Sequence, residues 1–310
     1  MWVMCAEEPL DSATILEAIR IDSTKENFEL ASSITEESLL SMCSNLLVID
    51  SASGTWKVSH LSVAEYFEQN HWSMQKAHLH AVKSCLLLLL EVFASDEHVV
   101  RYSQAGKGVF LEYAMKRWPE HARIQEEEDQ ADYQSMIPLV KRFLGHINEG
   151  SAYFQRYVSC FLDDDEGPPD IAITPLLIVC IYGLYYTLGD WWECIEISHW
   201  QGYTGIESPL TLAAISNSVP LCRKLVQRGE VVNTQDTGRY GSALAAAAAE
   251  GNLEIVKFLL DAGANMDLPF ENGRYGLFDI AEYHDYLEAV LGESDPDRHH
   301  GIMTHKPCPR

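Results

Sequence analysis

The sequence of 310 residues predicts a mainly α-helical protein. A small module of helices and one β-hairpin, followed by a helical connector, precedes a short solenoid of helical repeats. Apolar residues recur at helical spacing through much of the N-terminal half. One segment there, residues 46–62, has instead the strand–turn–strand pattern of a hairpin. Beyond residue 170 one pattern of residues returns every 34 residues, as in proteins built from stacked repeats. The predicted boundaries are residues 1–75 (module), 76–162 (connector), 171–292 (repeats) and 293–310 (flexible tail).

The module is predicted to begin with two helices. Pro9 precedes the first helix, which has Asp11 or Ser12 as its N-cap. Ser33 and Glu36 form a capping box before the second helix. The apolar residues that follow the two caps at helical spacing are Ile15, Leu16, Ile19, Leu39, Leu40, Cys43 and Leu46.

A β-hairpin and a further helix complete the module. Residues 46–50 and 55–62 are the predicted strands, and the next helix starts at residue 63. Two helices, a hairpin and a helix indicate a winged-helix-like module. Lys57 is the only basic residue of the hairpin, so a DNA-reading wing is not expected.

Two motifs in the N-terminal half carry a family resemblance. Within residues 42–67 the motif His-x-Ser-Val-x-Glu-Tyr is formed by His60, Ser62, Val63, Glu65 and Tyr66. Within residues 110–122 the motif Tyr-Ala-x-x-x-Trp-x-x-His is formed by Tyr113, Ala114, Trp118 and His121, and Phe110, Ala114 and Trp118 fall on one helix face. Both motifs resemble the region that follows the NACHT nucleotide-binding domain in large fungal NACHT–ankyrin proteins, and residues 2–19 resemble the stretch leading out of that domain. The resemblance implies an intracellular signalling or recognition context, in which the repeats sense a partner and an NTPase switches.

The nucleotide-binding part of that family is not recognisable in this sequence. No Gly-x-x-x-x-Gly-Lys-Ser/Thr motif occurs, because residues 105–110 lack the leading glycine, the spacing and the hydroxyl. Residues 46–50, LLVID, imitate a Walker B strand, but that pattern is common in buried strands. We therefore expect neither a nucleotide cofactor nor hydrolysis, and we expect the chain to begin where the NTPase of its relatives ends, as a fragment, a truncated gene model or a stand-alone paralogue.

The C-terminal repeat has a recognisable consensus. The three copies start at Thr174, Ser208 and Ser242, 34 residues apart. Each start is followed by a small residue and then by a helix-ending residue: Cys180 and Gly183, Ala214 and Asn217, Ala248 and Gly251. Residues 242–265 and 208–233 resemble the ankyrin consensus, whereas residues 174–187 resemble a degenerate first copy and residues 277–291 a cap or truncated copy. A tetratricopeptide repeat has a similar period, but its Trp and Gly-x-x-Tyr pattern is missing.

The tetrapeptide Gly-Arg-Tyr-Gly occurs twice, at residues 238–241 and 273–276, between copies of the repeat. The ankyrin family builds a β-turn finger at this place, and glycines supply the positive φ of the turn. Two interpretations remain open: the tyrosines pack finger on finger, or Arg and Tyr form a binding edge, since these residue types dominate interface hot spots. The predicted partner-binding residues are Arg239, Tyr240, Arg274, Tyr275 and Tyr203.

Composition limits the classes of partner. A formal net charge of −24 argues against nucleic acid and anionic membranes, which both attract clustered Lys and Arg. Residues 171–188 are apolar enough to suggest a membrane span, but Pro175 and Gly183 interrupt them and the repeat accounts for them better. Eight scattered cysteines without a Cys-x-x-Cys motif, and no recognisable signal peptide, predict a reducing, cytoplasmic location.

The remaining polar clusters do not predict an enzyme. His60 lies near Ser62 and Glu65 without a nucleophile elbow, and it is interpreted as a buried structural histidine. The tail offers His299, His300, His305 and Cys308, for which only adventitious metal binding is expected. The sequence thus predicts a non-catalytic interaction protein without a metal or cofactor, which binds a protein partner through ankyrin fingers and inner helices. The alternative is the C-terminal part of a NACHT-type switch whose NTPase is absent from this chain.

Overall fold

A computed structural model describes residues 1–31, 33–70, 73–104, 108–126, 131–147, 149–162, 173–194, 207–235 and 238–266. The chain divides into two compact units, Met1–Glu193 and Cys194–Arg310. The described residues are mainly helical, as predicted.

The first unit contains helices and one two-stranded sheet. Its described elements are α1 (Trp2–Cys5), α2 (Ser12–Ala18), α3 (Glu36–Cys43), β1 (Leu47–Ile49), β2 (Trp56–Val58), α4 (Leu61–Asn70), α5 (Met74–Val92), α6 (Asp96–Gln104), α7 (Val109–Arg123), α8 (Ile137–Leu144), α9 (Ala152–Leu162), α10 (Pro175–Tyr182) and α11 (Trp191–Cys194), whose last residue belongs to the second unit. Two 3₁₀ helices, Ala131–Ser135 and Tyr186–Leu188, lie between them.

One short helix, α1, comes before the predicted order of two helices, a hairpin and a helix. Asp11 caps α2, because its carboxylate accepts the N–H of Thr14 at 2.8 Å. The predicted capping box of the second helix is wrong: Thr35 is the N-cap of α3, and its hydroxyl oxygen accepts the N–H of Ser38 at 3.2 Å. Glu36 is the first residue of α3, which is too early for the third-position role that a capping box requires.

The hairpin is antiparallel and attached to the helices through one tryptophan. Leu47, Val48 and Ile49 pair with Val58, Lys57 and Trp56. Trp56 is buried, its backbone N–H donates to the Leu10 carbonyl at 2.9 Å, and its indole N–H donates to the Ser12 hydroxyl at 2.9 Å. The Asp50 carboxylate accepts a hydrogen bond from Lys57 at 2.6 Å, so the residue that imitates a Walker B aspartate belongs to the turn of the hairpin.

Helices α5 and α7 pack against each other in the core of the first unit. Leu86 to Leu90 of α5 are all buried. On α7 the predicted face of Phe110, Ala114 and Trp118 is confirmed, since each residue has no exposed surface. Trp118 contacts Phe143 of α8 edge to face, with ring centroids 5.5 Å apart. Aromatic packing therefore ties α8 to the central pair.

The segment predicted as the first repeat packs within the first unit. The backbone N–H of Leu176 in α10 donates to the Ile147 carbonyl at 3.1 Å, and α10 also contacts α7. The Glu126 carboxylate accepts the backbone N–H of Thr187 at 3.0 Å and that of Tyr186. The structural division at residues 193/194 thus lies later in the chain than the predicted start of the repeats at residue 171.

The described residues of the second unit form two helix pairs, α12 (Pro209–Ile215) with α13 (Val219–Gln227) and α14 (Ala243–Ala249) with α15 (Leu253–Asp261). Ser208 and Ser242 cap the first helix of each pair, and their hydroxyl oxygens accept the N–H of Thr211 at 3.3 Å and of Ala245 at 3.2 Å. Helix α12 packs beside α14, and α13 packs beside α15. The pairs therefore stack as repeats, with α12 and α14 in one layer and α13 and α15 in the other.

The predicted helix-ending residues all have the left-handed conformation. The φ angles are 69° at Gly183, 57° at Asn217 and 73° at Gly251. Positive φ allows the chain to reverse sharply after a short helix, and glycine or asparagine adopts it at low cost. The residues from Ala243 to Ala248 are buried, and their small side chains allow α12 and α14 to pack closely.

Among the described residues, no single helix is long and apolar enough to cross a membrane. Residues 74–92 and 96–102 together have that length and composition, across a bend of 112°.

Candidate functional site

The candidate site of the repeats is the finger formed by residues 238–241. Gly241 has a φ of 73°, so this position favours glycine. A Cβ atom at Gly238 would collide with the carboxylate of Glu207. Gly241 therefore has the conformational role predicted from the sequence, whereas Gly238 does not have a positive φ and is restricted by its close approach to Glu207 instead.

Two glutamates hold the finger from both sides. The backbone N–H of Arg239 donates to Oε1 of Glu207, which lies just before α12 in the preceding repeat. The hydroxyl of Tyr240 donates to Oε1 of Glu250, at the end of α14. Burial and the hydrogen bond to the Glu250 carboxylate together raise the pKa of Tyr240 to about 12. At neutral pH the phenol is therefore protonated and acts as the donor.

The Arg239 side chain lies at the exposed end of this arrangement. Its guanidinium carbon is 5.0 Å from the centroid of the half-buried Tyr240 ring, within the range of a cation–π contact. The hydroxyl of Tyr240 is hydrogen-bonded to Glu250, which lies at the end of the helix that follows the finger. The finger thus presents an exposed cation on an anchored aromatic ring.

Arg274, Tyr275 and Tyr203, the other predicted partner-binding residues, lie outside the described residues. The finger at residues 273–276 lies outside them as well.

A shallow cleft of about 360 Å³ lies on the layer of α13 and α15, where the sequence predicted no site. Arg223 of α13 places its guanidinium carbon 4.9 Å from the centroid of the Phe258 ring, and its Nη2 atom is 3.9 Å from the Glu254 carboxylate. Lys257 and Asp261 line the same cleft. Acidic and basic side chains therefore lie together around the Phe258 ring in this cleft.

A second polar cluster is buried in the first unit. Nδ1 of His78 in α5 and Nδ1 of His121 in α7 are 2.8 Å apart, and Nε2 of His121 is 2.8 Å from the hydroxyl of Tyr113. His78 is 5% exposed and His121 is 0% exposed. Burial lowers the pKa of His78, and burial and the neighbouring His78 lower the pKa of His121 to about 3. Both rings are therefore neutral at pH 7, and one Nδ1 donates to the other.

Sequence reasoning missed this cluster because its members are distant along the chain. In the sequence His121 belongs to a family motif, and no motif includes His78. His80, two residues after His78 on α5, contacts Ser23 instead, with Nδ1 2.5 Å from the hydroxyl oxygen. His78 and His121 each lie among the apolar residues of a core helix. Because a buried polar side chain needs a hydrogen-bond partner, this placement is the signal from which the cluster could have been predicted.

His60 has a local structural role. Its Nδ1 atom accepts the backbone N–H of Ser62 at 3.2 Å and lies 2.9 Å from the Ser62 hydroxyl. Hydrogen bonding was expected, but the predicted burial is wrong because His60 is exposed. The ring lies at the start of α4, where its nitrogen replaces a capping oxygen.

Comparison with known proteins identifies the repeats. Residues 193–290 match the family model described as Ankyrin repeats (3 copies). A stretch of 90 residues is 42% identical to Ankyrin repeat and SAM domain-containing protein 6 of Rattus norvegicus, and it covers 29% of this chain and 9% of that protein. A stretch of 108 residues is 41% identical to the Mus musculus protein of the same name, covering 32% of this chain and 12% of that protein. The chain thus spans about a tenth of the length of these curated relatives.

The match begins at residue 193, beyond the segment predicted as a degenerate first copy. This start agrees with the packing of α10 within the first unit. The resemblance of residues 42–67 and 110–122 to NACHT–ankyrin proteins stays a prediction. The stacked helix pairs and the sequence matches together establish that the C-terminal part of this chain carries ankyrin repeats.

Proposed function

We propose that this protein binds a protein partner through the finger at residues 238–241 and the adjoining helices α12 and α14, in an intracellular signalling or recognition pathway. The observation that carries the proposal is the exposed Arg239 side chain on a finger whose two sides are fixed by Glu207 and Glu250. Ankyrin repeats support an interaction role in general terms.

Anchoring favours binding because a fixed loop loses little conformational entropy when a partner docks. Immobilising one flexible side chain costs about 0.5–1.5 kcal/mol on association. The Tyr240 ring is already held by the hydrogen bond from its hydroxyl to Glu250, and the ring makes a cation–π contact with the Arg239 guanidinium. Arg and Tyr are the residue types most enriched where binding energy concentrates.

Charge indicates the kind of partner. The chain has a formal net charge of −24, which favours neutral or basic proteins over acidic ones. Arg239 is a cation on this acidic chain, so a carboxylate or backbone carbonyl of the partner is its expected contact. The partner would then have a mainly neutral or basic surface with one acceptor opposite the finger.

The test is to identify a partner by affinity capture and then to measure its affinity for purified variants. Arg239→Ala should weaken binding about tenfold or more, the effect of losing a contact of about 1.4 kcal/mol. Lys257→Ala, which removes a cation from α15 in the other layer, should leave the affinity unchanged. A combined substitution of Arg239, Tyr240, Arg274 and Tyr275 by alanine tests both fingers. Unchanged binding by this folded variant would contradict the proposal.

A second candidate function is the C-terminal part of a nucleotide-dependent NACHT-type switch. The observation that favours it is a group of exposed large apolar residues on and beside α3 and α4, within the region that resembles the segment after a NACHT domain. Met42 is 71% exposed and Leu61 is 68% exposed, and Leu46 and Tyr66 are also exposed. Exposed large apolar residues that concentrate in one segment mark an interaction surface.

This candidate is tested first on the genomic sequence upstream of the codon for Met1. An in-frame P-loop motif there supports a switch, and its absence contradicts one. The encoded NTPase domain, expressed separately, should bind this chain, and Met42→Glu/Leu61→Glu should weaken that binding at least tenfold. Val100→Glu/Val109→Glu is the matched control, because both valines are exposed on α6 and α7.

A further inference from the structure

We propose that His78, His121 and Glu7 form a binding site for a divalent transition-metal ion of the zinc type, which joins the N-terminal segment to the central helices of the first unit. One ring nitrogen of each histidine and one carboxylate oxygen of Glu7 lie within 4.8 Å of one another. The three residues come from three separate parts of the first unit: Glu7 follows α1, His78 lies in α5 and His121 lies in α7.

The two histidines present facing nitrogen atoms. Their Nδ1 atoms are 2.8 Å apart. Zinc binds imidazole nitrogen at about 2.0–2.1 Å, which in a tetrahedral site separates two such nitrogens by about 3.3 Å. An increase of about half an ångström between the rings therefore admits the ion. A shift of this size is within reach of a side-chain rotation in each helix.

Glu7 completes the ligand set from the solvent side. Its side chain is exposed, so it can swing onto the ion without disturbing the core. Two imidazoles and one carboxylate are a ligand set that zinc uses when a fourth position is left to water. Imidazole nitrogen is a poor ligand for Mg²⁺ and Ca²⁺, which take oxygen. The ligand chemistry therefore selects a zinc-type ion over the alkaline-earth ions.

Tyr113 provides the partner that orients one ligand. Its hydroxyl is 2.8 Å from Nε2 of His121. When Nδ1 of His121 binds the ion, the ring proton lies on Nε2 and is donated to the Tyr113 oxygen. Histidine ligands nearly always donate their second ring N–H to such a partner, which fixes the tautomer and the ring orientation.

The ion would link segments that are otherwise held by packing. Trp2 of α1 contacts the same cluster, with its ring centroid 6.0 Å from that of Tyr113 and 6.4 Å from that of His121. A bond from Glu7 through the ion to α5 and α7 would fix the residues after α1 onto this aromatic layer. The ion would thus make the attachment of the N-terminus depend on the supply of the metal, while its fourth coordination position stays open to water.

The experiment is a titration of the full chain with Zn²⁺ alone, read by isothermal calorimetry. Its background carries His299→Ala, His300→Ala, His305→Ala and Cys308→Ala, because the tail offers competing ligands. One equivalent of Zn²⁺ should bind, and Glu7→Gln, an exposed substitution that leaves the core intact, should weaken the affinity at least tenfold. Glu8→Gln, the neighbouring exposed carboxylate, is the matched control and should leave the affinity unchanged.

A second readout keeps the test independent of folding defects. In the same background, Zn²⁺ should shift the side-chain NMR signals of His78 and His121 and leave those of His60 and His146 in place. Absence of Zn²⁺ binding in this background, equal affinities of Glu7→Gln and Glu8→Gln, or unshifted His78 and His121 signals would each overturn the site. The pair would then be an ordinary hydrogen bond between two neutral histidines.

Discussion

The side-chain amide of Asn252 donates a hydrogen bond to the backbone carbonyl of Ala214 at 2.7 Å. Asn252 is the N-cap of α15, and Ala214 lies in the last turn of α12, in the preceding helix pair. A second bridge joins the same pairs, because Asn233 accepts the N–H of Asn265 at 2.7 Å and donates to the Gly263 carbonyl at 3.1 Å. Helix ends leave carbonyl groups without intrahelical partners, so a bond from the next repeat contributes directly to stacking.

Asn252→Ala should loosen the contact between the helix pairs. The Ala214 carbonyl keeps the backbone N–H of Asn217 as a partner, so the expected cost is that of one hydrogen bond, about 0.5–1.5 kcal/mol. Hydrogen exchange by mass spectrometry should show faster exchange in residues 209–227 and 243–261. Thr234→Ala is the control, because its hydroxyl bonds only to the nearby Val231 carbonyl at an exposed turn, and it should leave exchange in these residues nearly unchanged. Equal exchange in both variants would refute the role of the bridge.

Gly241→Ala should destabilise the repeats. Gly241 has a φ of 73°, and the left-handed region costs a residue with a Cβ about 1–2 kcal/mol. Gly189→Ala is the opposite case, since Gly189 has φ and ψ of −50° and −37° and its added Cβ would meet only an ordinary contact 3.7 Å away. That substitution should leave stability unchanged or raise it by up to about 1 kcal/mol, because alanine lowers the entropy of the unfolded chain. Urea unfolding followed by circular dichroism measures both changes.

Ser12→Ala should destabilise the hairpin attachment. The Ser12 hydroxyl accepts the indole N–H of Trp56 at 2.9 Å, and the Trp56 side chain is buried. Removing the acceptor leaves a buried donor unpaired, which costs about 1–3 kcal/mol. Ser53→Ala removes an exposed hydroxyl whose contact with Thr55 is local to the turn, and it should cost less than about 0.5 kcal/mol. Similar unfolding midpoints in urea for the two variants would argue against the Trp56 anchor.

The ion pair between Lys141 and Asp190 should make a small contribution to stability that depends on pH. Their Nζ and Oδ2 atoms are 2.7 Å apart, and the hydrogen bond from Lys141 lowers the pKa of Asp190 below its ordinary value of 3.8. A lowered pKa means that the stabilisation is present above pH 3.8 and is lost as the pH falls through the folded-state value.

Lys141→Met should therefore raise the pKa of Asp190 towards 3.8, measured by the pH titration of its carboxyl carbon signal in NMR. The free energy of unfolding at pH 7 should fall by at most about 1 kcal/mol, because both side chains are partly exposed to solvent. Lys116→Met is the control, since Lys116 pairs with Glu112 one turn away on the same helix and should leave the titration of Asp190 unchanged. A titration of Asp190 that is insensitive to Lys141 would contradict the assigned cause.

Local chemistry made the repeats predictable from the sequence. Ser208 and Ser242 were readable as helix starts and Gly183, Asn217 and Gly251 as helix ends, because capping and positive φ depend on residues only a few positions apart. The hairpin and the apolar face of α7 were predictable for the same reason, since their periods are local. The misplaced capping box on Ser33 shows the limit of this reasoning: Thr35 offers an equivalent hydroxyl two residues later, and the pattern alone does not choose between them.

The histidine cluster and the packing of α10 depend on contacts that sequence periodicity does not contain. His78 and His121 are 43 residues apart and meet because α5 and α7 cross. Residues 174–187 fit the repeat pattern, yet Leu176 bonds to the Ile147 carbonyl in the first unit. The repeat pattern therefore predicts where a helix begins and ends in this segment. It does not predict which apolar surface of the protein that helix packs against.

The bond that fixes Arg239 to Glu207 comes from the backbone, and any residue except proline supplies the same N–H. The anchor of the finger is thus chemically separate from the side chain at its tip. A single codon change at position 239 therefore alters the side chain that the finger presents and leaves its backbone anchor in place. A library randomised at this position alone, with Gly238, Tyr240 and Gly241 retained, would vary that side chain on the same backbone anchor.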